Sequence, residues 1–268
     1  RKEVIFNMKP SNLSIINNSF QKQPKNFESS CMNFSNEDYI NYVISAVTPN
    51  PSDTMLEVAA GTCAVGRSFS PYLKNVVCLD ATTAMLETGK KEAHKKHIDN
   101  IMFVKGFAED LPFLSESFDI VISRLAFHHF TDIYRPFKEM VRVLKPSGKL
   151  VLIDMEAPEE NLRKQRDSIE TLRDPSHIHN LSSDEIADLF YKNSLKITFS
   201  DKKTIPVSLD SWLSLTKTPQ SIRKKITTLM TDEIQEKSKT GFAPYLKENN
   251  IFFDQNWLLT IGKKPDNN

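Results

Sequence analysis

The sequence predicts an α/β fold, a parallel sheet covered by helices on both faces. Three observations predict it. Near-continuous apolar runs alternate with helix-like segments from Met55 to Asp154, as strands buried on both sides do. The first run, Met55, Leu56 and Val58 around Glu57, breaks into a loop with Gly61 and Gly66, and helix-like RSFSPYL follows. The second run closes on Asp80. Strand, tight glycine turn and helix together let backbone approach a nucleotide-like ligand closely.

Composition narrows the class. At 268 residues the chain fits one large domain, or one domain with a lid. It is 39% hydrophobic and 26% charged, the balance of a globular protein. The net charge of +1 supplies no global field for nucleic acid or acidic membrane. No apolar run approaches the ~20 residues a membrane helix needs. The opening RKEVIFNMKPSNLS has neither the apolar stretch nor the cleavage site of a secretion signal. Cys31, Cys63 and Cys78 are odd in number and widely spaced, which argues for a reducing compartment, and the expectation is cytoplasmic. No coherent set of metal ligands stands out.

The elements follow in order. Residues Arg1 to Ser30 are polar and taken alone read as poorly ordered, while the scattered Phe6, Phe20 and Phe27 suggest a segment that could fold over something. Ser35, with Asp38 three residues on, is expected to cap a helix through Val47, whose stripe is Tyr39, Ile40, Val43, Ile44 and Val47. Val76–Asp80 is the second strand, Ala84–Lys96 a helix and Ile101–Val104 the third strand, entering GFAEDLPF. Phe118–Ser123 is the fourth strand, followed by RLAFHHFTD, a helix over Ile133–Leu144 and the turn KPSG. Lys149–Asp154 is the fifth. Beyond Pro158 the rhythm changes. Helices are expected over Glu159–Leu172 and Ser183–Asn193, then a strand pair, Leu195–Pro206 and Ile251–Gly262, around a helical insert, Leu209–Glu248.

Ligands of open α/β sheets sit beyond the carboxyl ends of the strands, at the switch in strand order. Glu57, Gly61, Thr62, Asp80, Phe107, Ala108, Glu109, Arg124, Leu125, His128 and His129 all fall on or just after such strands. A carboxylate ending the second strand suits a ribose diol, and Phe107 suits an adenine face. This gives an adenosine-containing ligand without separating a dinucleotide from S-adenosylmethionine.

The segments LEVAAGTCAVG, VVCLDAT, FAEDLPF, FDIVISRLAFHHF and VLKPSGKLVLID resemble, in order and spacing, those of class I S-adenosylmethionine-dependent methyltransferases. Within that class they are similar to the ubiquinone/menaquinone-biosynthesis C-methyltransferases. The resemblance implies a doubly wound, Rossmann-like, seven-stranded methyltransferase fold, mostly parallel with one antiparallel strand, plus helical lid inserts. It implies a cofactor-binding core over 35–158, a lid segment over 1–34, and lid inserts with the closing strand pair over 159–268. It also implies roles. Glu57, Ala59, Gly61 and Thr62 would form the turn under the methionine part of S-adenosylmethionine. Asp80 would hold the ribose, with Ala81 and Met85 beside the adenosine. Phe107, Ala108 and Glu109 would border the adenine. Arg124 and Leu125 would lie by the methionyl end, and His128 and His129 would face the acceptor.

Ala59 and Cys63 stand where that family usually has glycine, and Cys63 would crowd the turn if φ is positive there. Phe107 stands where a polar residue commonly meets the adenine amine. A sulfonium methyl is already activated, so the protein needs mainly to align the reactants and exclude water. His128 and His129 are the candidate general bases, against the alternative that they brace their loop. His177 and His179 fit a loop-capping role, and His94 and His97 a solvated face. Phe20, Phe27, Tyr39, Phe127, Trp212, Phe242 and Tyr245 are the aromatics that could enclose an acceptor. The expectation is methyl transfer to a small molecule by a monomer or homodimer without nucleic-acid or membrane partners. The alternatives are a non-catalytic cofactor binder, suggested by the altered turn, and an RNA or protein methyltransferase.

Overall fold

The computed structural model describes residues 13–21, 24 and 37–266; the expected Ser35 cap, Phe27 and Cys31 lie outside them. Five parallel strands form the centre: β1 (Thr54–Val58), β2 (Asn75–Asp80), β3 (Ile101–Lys105), β4 (Phe118–Arg124) and β5 (Leu144–Met155). Then come β6 (Lys196–Ser208), β7 (Tyr245–Lys247) and β8 (Asn250–Lys263). The order across the sheet is β3-β2-β1-β4-β5-β8-β6. β8 runs antiparallel to β5 and β6, with Lys149 opposite Lys263. This is the expected seven-strand arrangement, to which β7 adds an eighth strand by pairing with β8.

Burial explains why the strands read as they do. Met55, Val76, Ile120, Ile122, Val151 and Ile153 point into one apolar layer, and Leu56, Val58, Leu79, Val121, Leu150 and Leu152 into the other. A strand buried on both faces needs no polar alternation. The first layer is covered by α2 (Glu37–Val47), through the stripe expected from sequence, and by α3 (Ala64–Phe69). The second is covered by α5 (Tyr134–Val143) and α7 (Ser183–Lys192), with Phe137 edge-on to Phe190 at 5.1 Å. In chain order the remaining helices are α1 (Leu13–Phe20), α4 (Thr83–Lys95), α6 (Glu160–Arg173), α8 (Leu209–Leu215) and α9 (Gln220–Ile234).

Several boundaries differ from expectation. β5 starts at Leu144, so the KPSG segment is extended, with Ser147 alone at positive φ. The strand pair is longer at its inner ends than the sequence suggested. The insert is not wholly helical: Glu248 and Asn249, both at positive φ, turn β7 back onto β8, as two-residue hairpin loops do. The cap of α7 is Ser182, which exchanges hydrogen bonds with Glu185 in a capping box. Trp212, Phe242 and Phe253 form an edge-to-face cluster that ties α8 and the insert to β8.

Candidate active site

The order reverses between β1 and β4, and a cavity of about 1030 Å³, its mouth included, opens at their carboxyl ends. The turn after β1 makes its floor. Ala59, Gly61 and Cys63 all have positive φ, and Ala59 and Gly61 line the cavity. Cys63 thus sits in the conformation that crowds a side chain, and Ala59 does the same unannounced. Gly66 lets α3 approach: a Cβ there would lie 2.4 Å from Cys78 Sγ and 2.9 Å from Glu57 Oε2.

Two carboxylates hold this turn. Glu57 is buried and accepts the Gly66 N–H at 2.8 Å and the Cys78 thiol at 3.4 Å. Burial pushes its pKa up to about 7, against the pull of the Gly66 N–H and Arg124. Asp80 accepts the Gly61 N–H at 2.8 Å and the Thr82 N–H at 2.7 Å, one on each oxygen. Burial raises its pKa too, while those N–H groups lower it. The Thr82 side chain bonds Asp80 as well, so of a carboxylate's roughly four acceptor positions about one is left for a diol hydroxyl.

All the residues expected at the cofactor are gathered here: Glu57, Ala59, Gly61, Thr62, Asp80, Ala81, Met85, Phe107, Ala108, Glu109, Arg124 and Leu125 line the cavity. Leu125, at positive φ, turns the chain away from β4. Arg124 lies 5.9 Å from the Trp257 ring centroid. Sequence reading missed Ile16 on α1, Thr82 and Phe130. Ile16 had a faint signal, an apolar residue one helical turn before Phe20 in a polar segment.

The two histidines part company. His128 does not line the cavity. Its Nδ1 lies 2.6 Å from Asp154 Oδ1, and Asp154 Oδ2 accepts the Phe127 N–H at 2.8 Å. Burial works against a charged His128, but Asp154 overrides it and holds the pKa above the usual value. His128 therefore braces the loop. His129 does line the cavity. Burial, aided by His128, pushes its pKa down to about 3, so it is neutral at physiological pH. His177 is paired with Asp167 at 2.9 Å, away from the cavity lining. Of the aromatics offered for the acceptor, Phe20 alone lines the cavity among the described residues, with its ring 5.1 Å from His129 and edge-on to it. Tyr39 packs against Trp257, Phe127 against Phe137, and Tyr245 pairs with Asp254.

A doubly wound sheet, a glycine turn at its switch point and an acid closing β2 define a nucleoside-cofactor-binding α/β enzyme. The chain belongs to the class I S-adenosylmethionine-dependent methyltransferases, and residues 56–152 match the family model described as a methyltransferase domain. It is similar to the "Uncharacterized methyltransferase YcgJ" of Bacillus subtilis, 32% identical over 217 residues, or 81% of this chain and 85% of that one. The crystal structure of YcgJ superposes with a TM-score of 0.78 over 86% of this chain and 100% of that chain. "Uncharacterized protein YafE" of Escherichia coli is 30% identical over 70% of this chain and 90% of its own length. A demethylmenaquinone methyltransferase of Renibacterium salmoninarum is 37% identical over 43% of this chain and 47% of its own.

The enzyme's cofactor is therefore S-adenosylmethionine. The cavity fits it on its own terms: apolar walls at Leu79, Met85 and Ala108, acids at Asp80 and Glu57, and open space beside the Cα of Gly61. Among the described residues no helix is long and apolar enough to cross a membrane.

Proposed function

We propose that the protein transfers a methyl group to a small, largely apolar acceptor bound between Phe20, His129 and Phe130. The observation that carries this is the lining around His129, a neutral histidine with Phe20 edge-on to it and Phe130 as its neighbour in the chain, all three facing the cavity. Such a wall suits a compact acceptor with one polar group. When bound, S-adenosylmethionine would supply a methyl already activated by a positively charged sulfur. Asp80 would hold its ribose, and the Ala59–Thr62 turn its methionyl part. Ile16 and Phe20 exclude water from above. His129, held neutral by burial, accepts a hydrogen bond from the acceptor's polar group and orients it.

The test is a thermal-shift titration with S-adenosylmethionine and S-adenosylhomocysteine, followed by turnover across a panel of small phenols, quinols and amines. Stabilisation by both and methylation of a panel member are expected. Failure of either nucleoside to stabilise the protein, or methylation of RNA or protein in place of the panel, would refute the reading.

A further inference from the structure

We propose that Asp174 and Ser176 are positioning residues that hold His129 in a single tautomer, with the proton on Nδ1 and the lone pair on Nε2. This rests on the reading of His129 as the neutral hydrogen-bond acceptor that faces the methyl acceptor. Proton accounting carries it. His129 Nδ1 lies 3.1 Å from the Ser176 backbone oxygen, which can only accept. It lies equally close to Ser176 Oγ, at 3.1 Å. That hydroxyl has already spent its proton on Asp174 Oδ1, at 2.6 Å. Both Ser176 oxygens therefore face Nδ1 as acceptors, so Nδ1 carries the hydrogen and Nε2 does not.

The neighbours keep the ring neutral. His128 lies beside it with centroids 4.1 Å apart, and His128 is the one paired with a carboxylate. Arg173 adds positive charge beside His128 and Asp174, and Asp174 is the acid that opposes the effect of His128 on the ring. Burial works against the charged form of Asp174, yet it stays below the usual carboxylate range beside Arg173 and two Ser176 donors.

The same carboxylate oxygen reaches the lid. Ser19 Oγ of α1 donates to Asp174 Oδ1 at 2.9 Å, and Phe20, the next residue, sits edge-on to His129. One oxygen thus serves both the helix over the cavity and the hydroxyl that orients His129.

Imidazole nitrogen NMR on the ¹⁵N-histidine-labelled full chain, saturated with S-adenosylhomocysteine at neutral pH, tests this. The spectrum of His129→Gln assigns the resonances. The measurement needs no acceptor, so it stands apart from the acceptor's identity. The wild type should show one tautomer, with Nε2 unprotonated. Asp174→Ala frees the Ser176 hydroxyl to donate, and a mixture of tautomers should appear. Asp174→Asn keeps an accepting oxygen and should restore the single form. Ser19→Ala, which removes only the lid bond, should leave it intact. A wild-type Nε2–H signal, an unchanged Asp174→Ala spectrum, or an equal change in Ser19→Ala would each overturn the proposal. Should Asp174→Ala fail to fold, the wild-type tautomer and the Asp174→Asn spectrum still decide.

Discussion

Asp80, at the end of β2, reaches across to the turn after β1 and accepts the Gly61 N–H at 2.8 Å. The residue read as the ribose ligand is thus also the strut of the turn that meets the cofactor.

Asp80→Ala should lose both functions. Each hydrogen bond to a charged group contributes roughly 1.5–3 kcal/mol. Loss of the ribose contact alone should weaken S-adenosylhomocysteine binding by at least about tenfold, read by isothermal titration calorimetry. The melting temperature should drop as well, because the Gly61 and Thr82 N–H groups lose their acceptor. Unchanged affinity would sink the assignment.

Glu57 makes stability depend on pH. Its carboxyl keeps its proton from 4.5 up to about 7 in the folded state, where the unfolded chain has released it. Stability should therefore fall as pH rises through that interval and level off above it. Glu57→Gln should remove this slope, with a difference on the order of 3 kcal/mol between about pH 5 and about pH 8. Urea unfolding of both proteins without cofactor measures it.

Gly66→Ala should destabilise by about 1–3 kcal/mol, since the new methyl collides with Cys78 Sγ and Glu57 Oε2. Cys78→Ala in the same chain should recover part of that loss. A double-mutant cycle with no coupling would show that the clash is not the cause.

Asp154→Ala, on β5, should be the most damaging change for the loop after β4. Asp154 accepts from the Phe127 and Met155 backbones and pairs with the His128 ring. Breaking a buried pair costs about 3–5 kcal/mol. The part due to the charged His128 is present at low pH and fades as pH rises through its raised folded pKa. Chemical denaturation at two pH values reads both effects.

Much of this was legible in the residues, and the rest was not, for physical reasons. β1, β2, β4 and β5 announced themselves because both faces of each are buried. Asp80 did so because an acid directly after an apolar run is conspicuous. The positive φ of Ala59 and Leu125 left no mark, since nothing but glycine advertises that conformation. β7 is three residues long, too short to show a period. His128 and His129 are adjacent and identical in type. Only their distant partners distinguish them, Asp154 on β5 and Ser176 beyond α6. Local sequence carries no information about those contacts.

The reversed direction of β8 has a practical use. Its last residue, Lys263, lies opposite Lys149 in the first half of β5, and Lys264 donates to the carbonyl of Leu144, where β5 starts, at 2.7 Å. The chain thus leaves the sheet on the rim opposite the cavity. A dye, an affinity handle or a bead tethered near Lys264 would sit behind the enzyme and leave the entrance clear for screening candidate acceptors on an immobilised sample.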